Sequence, residues 1–194
     1  MFLNPPAPPP SPPSDWIVRW APLLPPGSSV LDLACGSGRH FRWLQAHGFA
    51  VTGVDRDGAA LAGLAAFGET VLADLENAPW PLAGRQFTAV VVTHYLFRPL
   101  LPTMVASVAP GGLLLYETFA AGQETVGRPS RPDFLLQPGE LLRACAGLHV
   151  LAYEDGWLPA PLRRVQRIAA RRLPATEAPH DLYPAPGALF HPAG

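Results

Sequence analysis

Three acids fall where strands should end: Asp32, Asp55 and Asp74. Asp32 sits near the close of the apolar run Ser29-Val30-Leu31-Asp32-Leu33-Ala34, which breaks at once into Cys35-Gly36-Ser37-Gly38. A backbone bare of Cβ at Gly36 and Gly38, opening a helix, suits close approach by a nucleotide-like ligand, with helix-start amides to receive it. Such a ligand needs an acceptor for its ribose hydroxyls about 20 residues on, at the end of the next strand. Asp55 lies 19 residues after Gly36. Asp74 ends a third strand and could accept from an adenine amino group, while Leu75 could pack on the ring. The turn departs from the dinucleotide fingerprint, because its third glycine position holds Phe41, whose ring would obstruct a pyrophosphate. NAD is therefore disfavoured.

Those residues need a scaffold that brings successive strand ends to one edge. After Gly38 the apolar spacing of Phe41 and Leu44, closed by Gly48, predicts a helix leading to a second strand over Ala50 to Val54. The rhythm repeats with a helix over Ala59 to Ala66 and strands around Val71 to Ala73 and Thr88 to Val92. A helix near Leu101 to Val108 and the turn Pro110-Gly111-Gly112 lead into a strand over Leu113 to Glu117. A long irregular segment, Thr118 to Pro138, precedes a helix at Gly139 to Cys145 and strands near Val150 to Glu154 and Val165 to Ala170. Continuous apolar strands alternating with helices read as a parallel α/β sheet buried on both faces. Ser14-Asp15 ahead of Trp16 to Trp20 reads as a capped short helix that could cover the cleft.

The stretch Val30-Leu31-Asp32-Leu33-Ala34-Cys35-Gly36-Ser37-Gly38-Arg39 resembles motif I of the class I methyltransferases that use S-adenosylmethionine (SAM). The resemblance implies a Rossmann-like three-layer sandwich: a seven-stranded, mostly parallel sheet in the order 3-2-1-4-5-7-6, its last strand antiparallel, with helices on both faces. It also implies that Gly36 and Gly38 lie against the methionine moiety, that Asp55 binds the ribose, and that Asp74 and Leu75 contact adenine. Asp32, Ala34, Arg39, Arg56 and Thr93 complete the implied cofactor-binding set. SAM carries an ammonium and no pyrophosphate, so an acid at Asp32 makes electrostatic sense. The segments Gly111 to Phe119 and Asp133 to Leu141 resemble the small bacterial tellurite-resistance-type branch, which implies a stand-alone enzyme acting on a small acceptor.

Methyl transfer is an in-line displacement at a sulfonium, so it asks chiefly for alignment and exclusion of water. The fourth strand ends in Thr93-His94-Tyr95, at the edge that faces the methyl group in this fold. His94 and Tyr95 are the candidate catalytic residues, to position or deprotonate an acceptor. Arg98, Arg128 and Arg131 are candidates for holding an anionic one, an oxyanion or thiolate. Glu117 reads as structural, and Cys35 as a small packing residue with no adjacent base.

Composition removes several other classes. All 14 basic residues are Arg, so Schiff-base and P-loop lysine chemistry are excluded. A net charge of −1 offers no field for a nucleic-acid backbone. The basic residues Arg163, Arg164, Arg167, Arg171 and Arg172 raise an RNA-docking or protein-docking alternative, but alternation splits them between faces, and solvated strand edges are expected. A non-catalytic SAM-binding module is the other alternative. No metal-ligand spacing and no apolar run long enough to span a membrane is present, and two distant cysteines fit a reduced cytoplasmic setting. Proline is concentrated at the ends, 15 of 25 falling in residues 1–26 and 173–194. The expected organisation is a proline-rich arm over 1–14, a methyltransferase domain over 15–172 and a proline-rich tail over 173–194, as a monomer or homodimer.

Overall fold

The computed structural model describes residues 11–174, so most of both proline-rich arms lies outside the described residues. Seven strands form one sheet: β1 (Ser29–Leu33), β2 (Ala50–Asp55), β3 (Glu69–Leu72), β4 (Phe87–Thr93), β5 (Val108–Phe119), β6 (His149–Pro159) and β7 (Leu162–Arg171). Their order is β3-β2-β1-β4-β5-β7-β6. The first five strands run parallel, and β7 lies antiparallel to both β5 and β6. The architecture expected from the sequence is the one observed.

Alternation along each strand builds two cores. On one face Val30, Val91, Leu113 and Leu115 meet Trp16 and Ile17 of α1 (Asp15–Trp20) and Phe41 and Leu44 of α2 (Arg39–Ala46). Leu61 of α3 (Gly58–Ala62) joins them. On the other face Leu31, Leu33, Val90, Val92 and Leu114 meet Met104 of α4 (Leu101–Ala106) and Leu141 of α5 (Glu140–Ala144). Each fully buried side chain of this size contributes about 1.5–3 kcal/mol, enough to fix which way every strand faces.

Local chemistry sets the helix starts. Ser14 caps α1 by accepting the Trp16 N–H at 3.2 Å. Asp57 caps α3 by accepting from Ala59 and Ala60 at 3.0 and 3.1 Å. Helix α3 is shorter than the Ala/Leu pattern predicts: it stops at Ala62, with Gly63 as its C-cap. The chain must then bring Gly68 against the Phe41 ring and the Val51 carbonyl, where a Cβ would come within 2.9 and 2.7 Å. Tertiary packing overrides helix propensity there.

Strands β6 and β7 are also longer than expected, because they pair with each other through to Pro159 and Leu162. The irregular segment after β5 is pinned at its ends, since Ala120 bridges Leu136 and the Ala121 N–H donates to the Leu136 carbonyl at 2.9 Å.

Candidate cofactor and acceptor site

The carboxyl ends of β1, β2 and β4 converge on a turn with an unusual backbone. Ala34, Gly36 and Gly38 all have left-handed φ, at 53°, 53° and 79°. At Gly36 a Cβ would meet nothing within 4 Å, so the missing side chain leaves space above the turn. At Gly38 a Cβ would lie 2.4 Å from Leu64 Cδ2, so this glycine is required by the fold itself. Gly38 is thus held by packing against Leu64 as well as by its left-handed backbone, whereas Gly36 leaves its space open. Phe41 sits on the apolar face that its spacing with Leu44 predicts. Its ring is fully buried, and a Cβ at Gly53 would come within 2.8 Å of it, so it packs helix against sheet.

Asp55 fastens the turn to β2. One carboxylate oxygen accepts the Gly36 N–H at 2.7 Å and the other accepts the Asp57 N–H at 2.9 Å. Asp32 lies beneath, 1% exposed, and its Oδ2 has no hydrogen-bond partner among the described residues. Burial pushes its carboxyl up to about 7 against the opposing pull of the Phe41 N–H and the Arg39 guanidinium. A buried carboxylate oxygen with a lone pair to spare, under a bare glycine, fits a ligand carrying an ammonium.

A cleft of about 190 Å³ opens beside the turn, lined by Ala34, Asp55, Arg56, Asp74, Leu75 and Tyr95, with Ala73 and Glu76. It gathers half of the predicted cofactor set; Asp32, Gly36, Gly38, Arg39 and Thr93 stand outside its walls. The Asp74 carboxylate already accepts from the Glu76 N–H at 3.0 Å, the Asn77 N–H at 3.2 Å and Asn77 Nδ2 at 2.9 Å. These bonds hold it below the usual carboxylate range, the Asn77 side chain foremost.

Tyr95 and Glu76 also line a second pocket of about 240 Å³, with His94, Leu96, Thr118, Phe119, Pro129 and Phe134. His94 is a non-glycine residue at φ 54°, a conformation that must be held in place. Two bonds from β5 hold it: the His94 N–H donates to the Glu117 carbonyl at 3.0 Å, and the Tyr116 hydroxyl donates to the Tyr95 carbonyl at 2.8 Å. The imidazole stacks on Phe119 at 4.8 Å, and Arg39 Nη2 donates to its Nδ1 at 3.4 Å. The cleft walls desolvate it, and Arg39 and Arg163 repel its cation, so it titrates at about 4. The Tyr95 hydroxyl is buried without a partner among the described residues, and burial raises it.

Of the three predicted anion-binding arginines, Arg98 and Arg131 line a pocket that shares Glu76, Leu96 and Phe134 with the His94 pocket. Arg98 donates to both Glu140 oxygens at 2.7 and 3.0 Å and to the Asp133 and Leu135 carbonyls, which makes it an anchor for the loop. Arg131 pairs with Asp133 at 2.8 Å on the exposed rim. Arg128 is exposed on the same loop.

The basic cluster is not the solvated edge expected. Arg164 pairs with Asp155, Arg167 with Glu154 and Glu117, and Arg172 donates to the Val108 and Val105 carbonyls at 2.7 Å each. Carboxylates at matching registers on neighbouring strands draw these guanidiniums in, with Glu117, Arg167 and Glu154 abreast in the sheet. The sequence reading also passed over His40, which is 2% exposed. Its Nε2 accepts the Ser14 N–H at 3.0 Å, and its Nδ1 lies 3.2 Å from Thr93 Oγ1. Its place after Gly38-Arg39 was the available signal.

Residues 10–136 match the methyltransferase domain family, and the chain belongs to it. By family and fold it is a class I SAM-dependent methyltransferase. No curated protein matches at the level of sequence. Among solved structures, TehB from Haemophilus influenzae aligns with a TM-score of 0.64 and 23% identity over 80% of this chain. The chain spans 61% of that protein's length. A SAM-dependent methyltransferase from Mesorhizobium loti aligns with a TM-score of 0.61 and 19% identity, over 80% of this chain and 96% of the other. The N-methyltransferase NodS from Bradyrhizobium japonicum aligns with a TM-score of 0.62 and 15% identity, over 81% and 92%. Among the described residues no helix is long and apolar enough to cross a membrane.

Proposed function

We propose that the chain methylates a small molecule bound against the end of β4, in the pocket of His94 and Phe119. The observation that carries this reading is the shared wall: Tyr95 and Glu76 line both the cleft beside the motif turn and that second pocket. A cofactor site sharing a wall with an adjoining pocket is the arrangement in-line transfer requires. Bound SAM supplies the electrophilic methyl group. Asp32, Gly36 and Asp55 would hold its methionine and ribose portions, with Ala34, Arg56, Asp74 and Leu75 around the rest. The protein's own part is to align the nucleophile and exclude water, which Phe119, Phe134 and the Thr118 to Pro138 segment do by roofing the second pocket.

The domain is taken to span 15–172, acting in the cytoplasm as a monomer or homodimer. Both cysteines are free and buried, which fits a reducing compartment. Internal pairing of the basic cluster leaves little of it to dock on a polynucleotide. Calorimetric titration with SAM, with its demethylated product and with NAD as control tests the reading. Saturable binding of the first two alone supports it; binding of NAD in preference, or of none, overturns it.

A further inference from the structure

Beside the His94 pocket lies an outer pocket of about 370 Å³, walled by Phe97, Pro99 and Arg98 together with the shared Glu76, Leu96 and Phe134. At about 240 Å³ the inner pocket is smaller than the roughly 300–1,000 Å³ in which small molecules usually bind, whereas the two side by side fall within that range. Arg98 ties the opposite walls of the outer pocket to each other. It opens the turn Arg98–Leu100 and donates to the carbonyls of Asp133 and Leu135, at 2.8 and 2.9 Å, within and just after the turn Pro132–Phe134. Those walls are therefore in place before a ligand arrives, and little ordering has to be supplied on binding.

Apolar surface and one carboxylate define what the outer pocket accepts. Phe97, Pro99 and Leu96 give it apolar walls, and Phe134 is 40% exposed, with the Arg131 guanidinium over its ring at 5.1 Å. Each arginine there is matched by an acid, Arg131 by Asp133 at 2.8 Å and Arg98 by Glu140 at 2.7 Å. Glu76 is different. Its amide is held by Asp74 Oδ1 at 3.0 Å, but among the described residues its carboxylate makes no hydrogen bond or ion pair, and it lines both pockets and the cofactor cleft. We propose that the outer pocket is a second acceptor subsite: it takes the apolar or aromatic body of an elongated organic amine and sets the ammonium against Glu76, while the group to be methylated lies in the His94 pocket. An ammonium complements an unpaired carboxylate, and the faces of Phe97 and Phe134 attract it further. A compact inorganic oxyanion would leave the outer pocket unfilled and meet Glu76 as a like charge. The inference rests on the methyltransferase reading and names the class of its acceptor.

Calorimetric titration of the full-length protein, saturated with demethylated SAM so that no turnover occurs, tests the subsite with three probes. Phenylbutylamine, with its amine at the far end of the chain, carries both features; phenylbutanol keeps the body without the charge, and butylamine keeps the charge without the ring. Phenylbutylamine is expected to bind about tenfold or more tighter than either control. Glu76→Gln should erase its advantage over phenylbutanol, and Phe134→Ala its advantage over butylamine. Both side chains are exposed, so neither change threatens the fold. Equal binding of all three probes to the wild type overturns the proposal, as does an advantage that survives unchanged in both variants. A protein that binds SAM but not phenylbutylamine loses the subsite and keeps the methyltransferase reading; one that binds no SAM loses both.

Discussion

Asp32→Asn tests whether the acid under the motif turn serves binding at the expense of stability. The wild-type carboxyl is buried and raised from 3.8 to about 7. The folded chain thus keeps a proton over a range in which the unfolded chain has lost it. Stability is fully present below about pH 4, falls as pH rises towards 7, and then levels off, the total loss being about 4 kcal/mol. Asparagine removes that penalty. Its amide leaves a donor unsatisfied where Oδ2 was unpartnered, which returns about 1–3 kcal/mol. The net expectation is a variant about 1–3 kcal/mol more stable than wild type at about pH 8.5, the gap closing by about pH 5. Urea unfolding at the two pH values measures it. SAM affinity should move the opposite way, weakening roughly 30-fold or more as the charge partner of an ammonium is lost. A variant that unfolds at lower urea than wild type at alkaline pH refutes the reasoning, since Asp32 would then be stabilised by its surroundings.

The two motif glycines should separate cleanly: Gly36→Val abolishes SAM binding by calorimetry and costs about 1–2 kcal/mol of backbone strain, because no protein atom opposes the new Cβ. Gly38→Ala instead lowers the melting temperature, by about 2 kcal/mol or more of stability, since its Cβ meets Leu64. Arg98→Met should speed proteolysis within 131–140 while leaving SAM affinity within about twofold, because Arg98 ties Glu140 to that loop; a large loss of affinity would return Arg98 to the ligand.

The approximate places of the strands and main helices were legible because the signals are local, apolar runs, Gly turns and the Ser14 cap, while the strand order came from the resemblance of the motif around Gly36. The cleft residues Asp55, Asp74 and Leu75 were legible for a related reason, since a parallel sheet brings successive strand ends to one edge. What escaped depends on pairing across long sequence distances. The register that sets Glu117 beside Arg167 and Arg167 beside Glu154 draws Arg167 into ion pairs within the fold, and Arg164 pairs with Asp155. Nothing near Gly38 in sequence announces that Leu64 lies against it. The bond from His40 to the Ser14 amide likewise crosses 26 residues. The anchoring role of Arg98 was not legible because only the folded loop brings Glu140 and the Asp133 and Leu135 carbonyls to its guanidinium.

Helix N-termini ordinarily fray, and their first amides exchange with solvent freely. Ser14 departs from that pattern: its amide is given to His40, and its hydroxyl both caps α1 and donates to Glu117 at 3.0 Å. One residue thereby joins α1, α2 and β5, so opening the helix start means breaking bonds in all three. Amide exchange at Ser14 should therefore track subglobal opening of the sheet edge rather than local fraying, making this early residue a reporter on the integrity of the β4 and β5 ends.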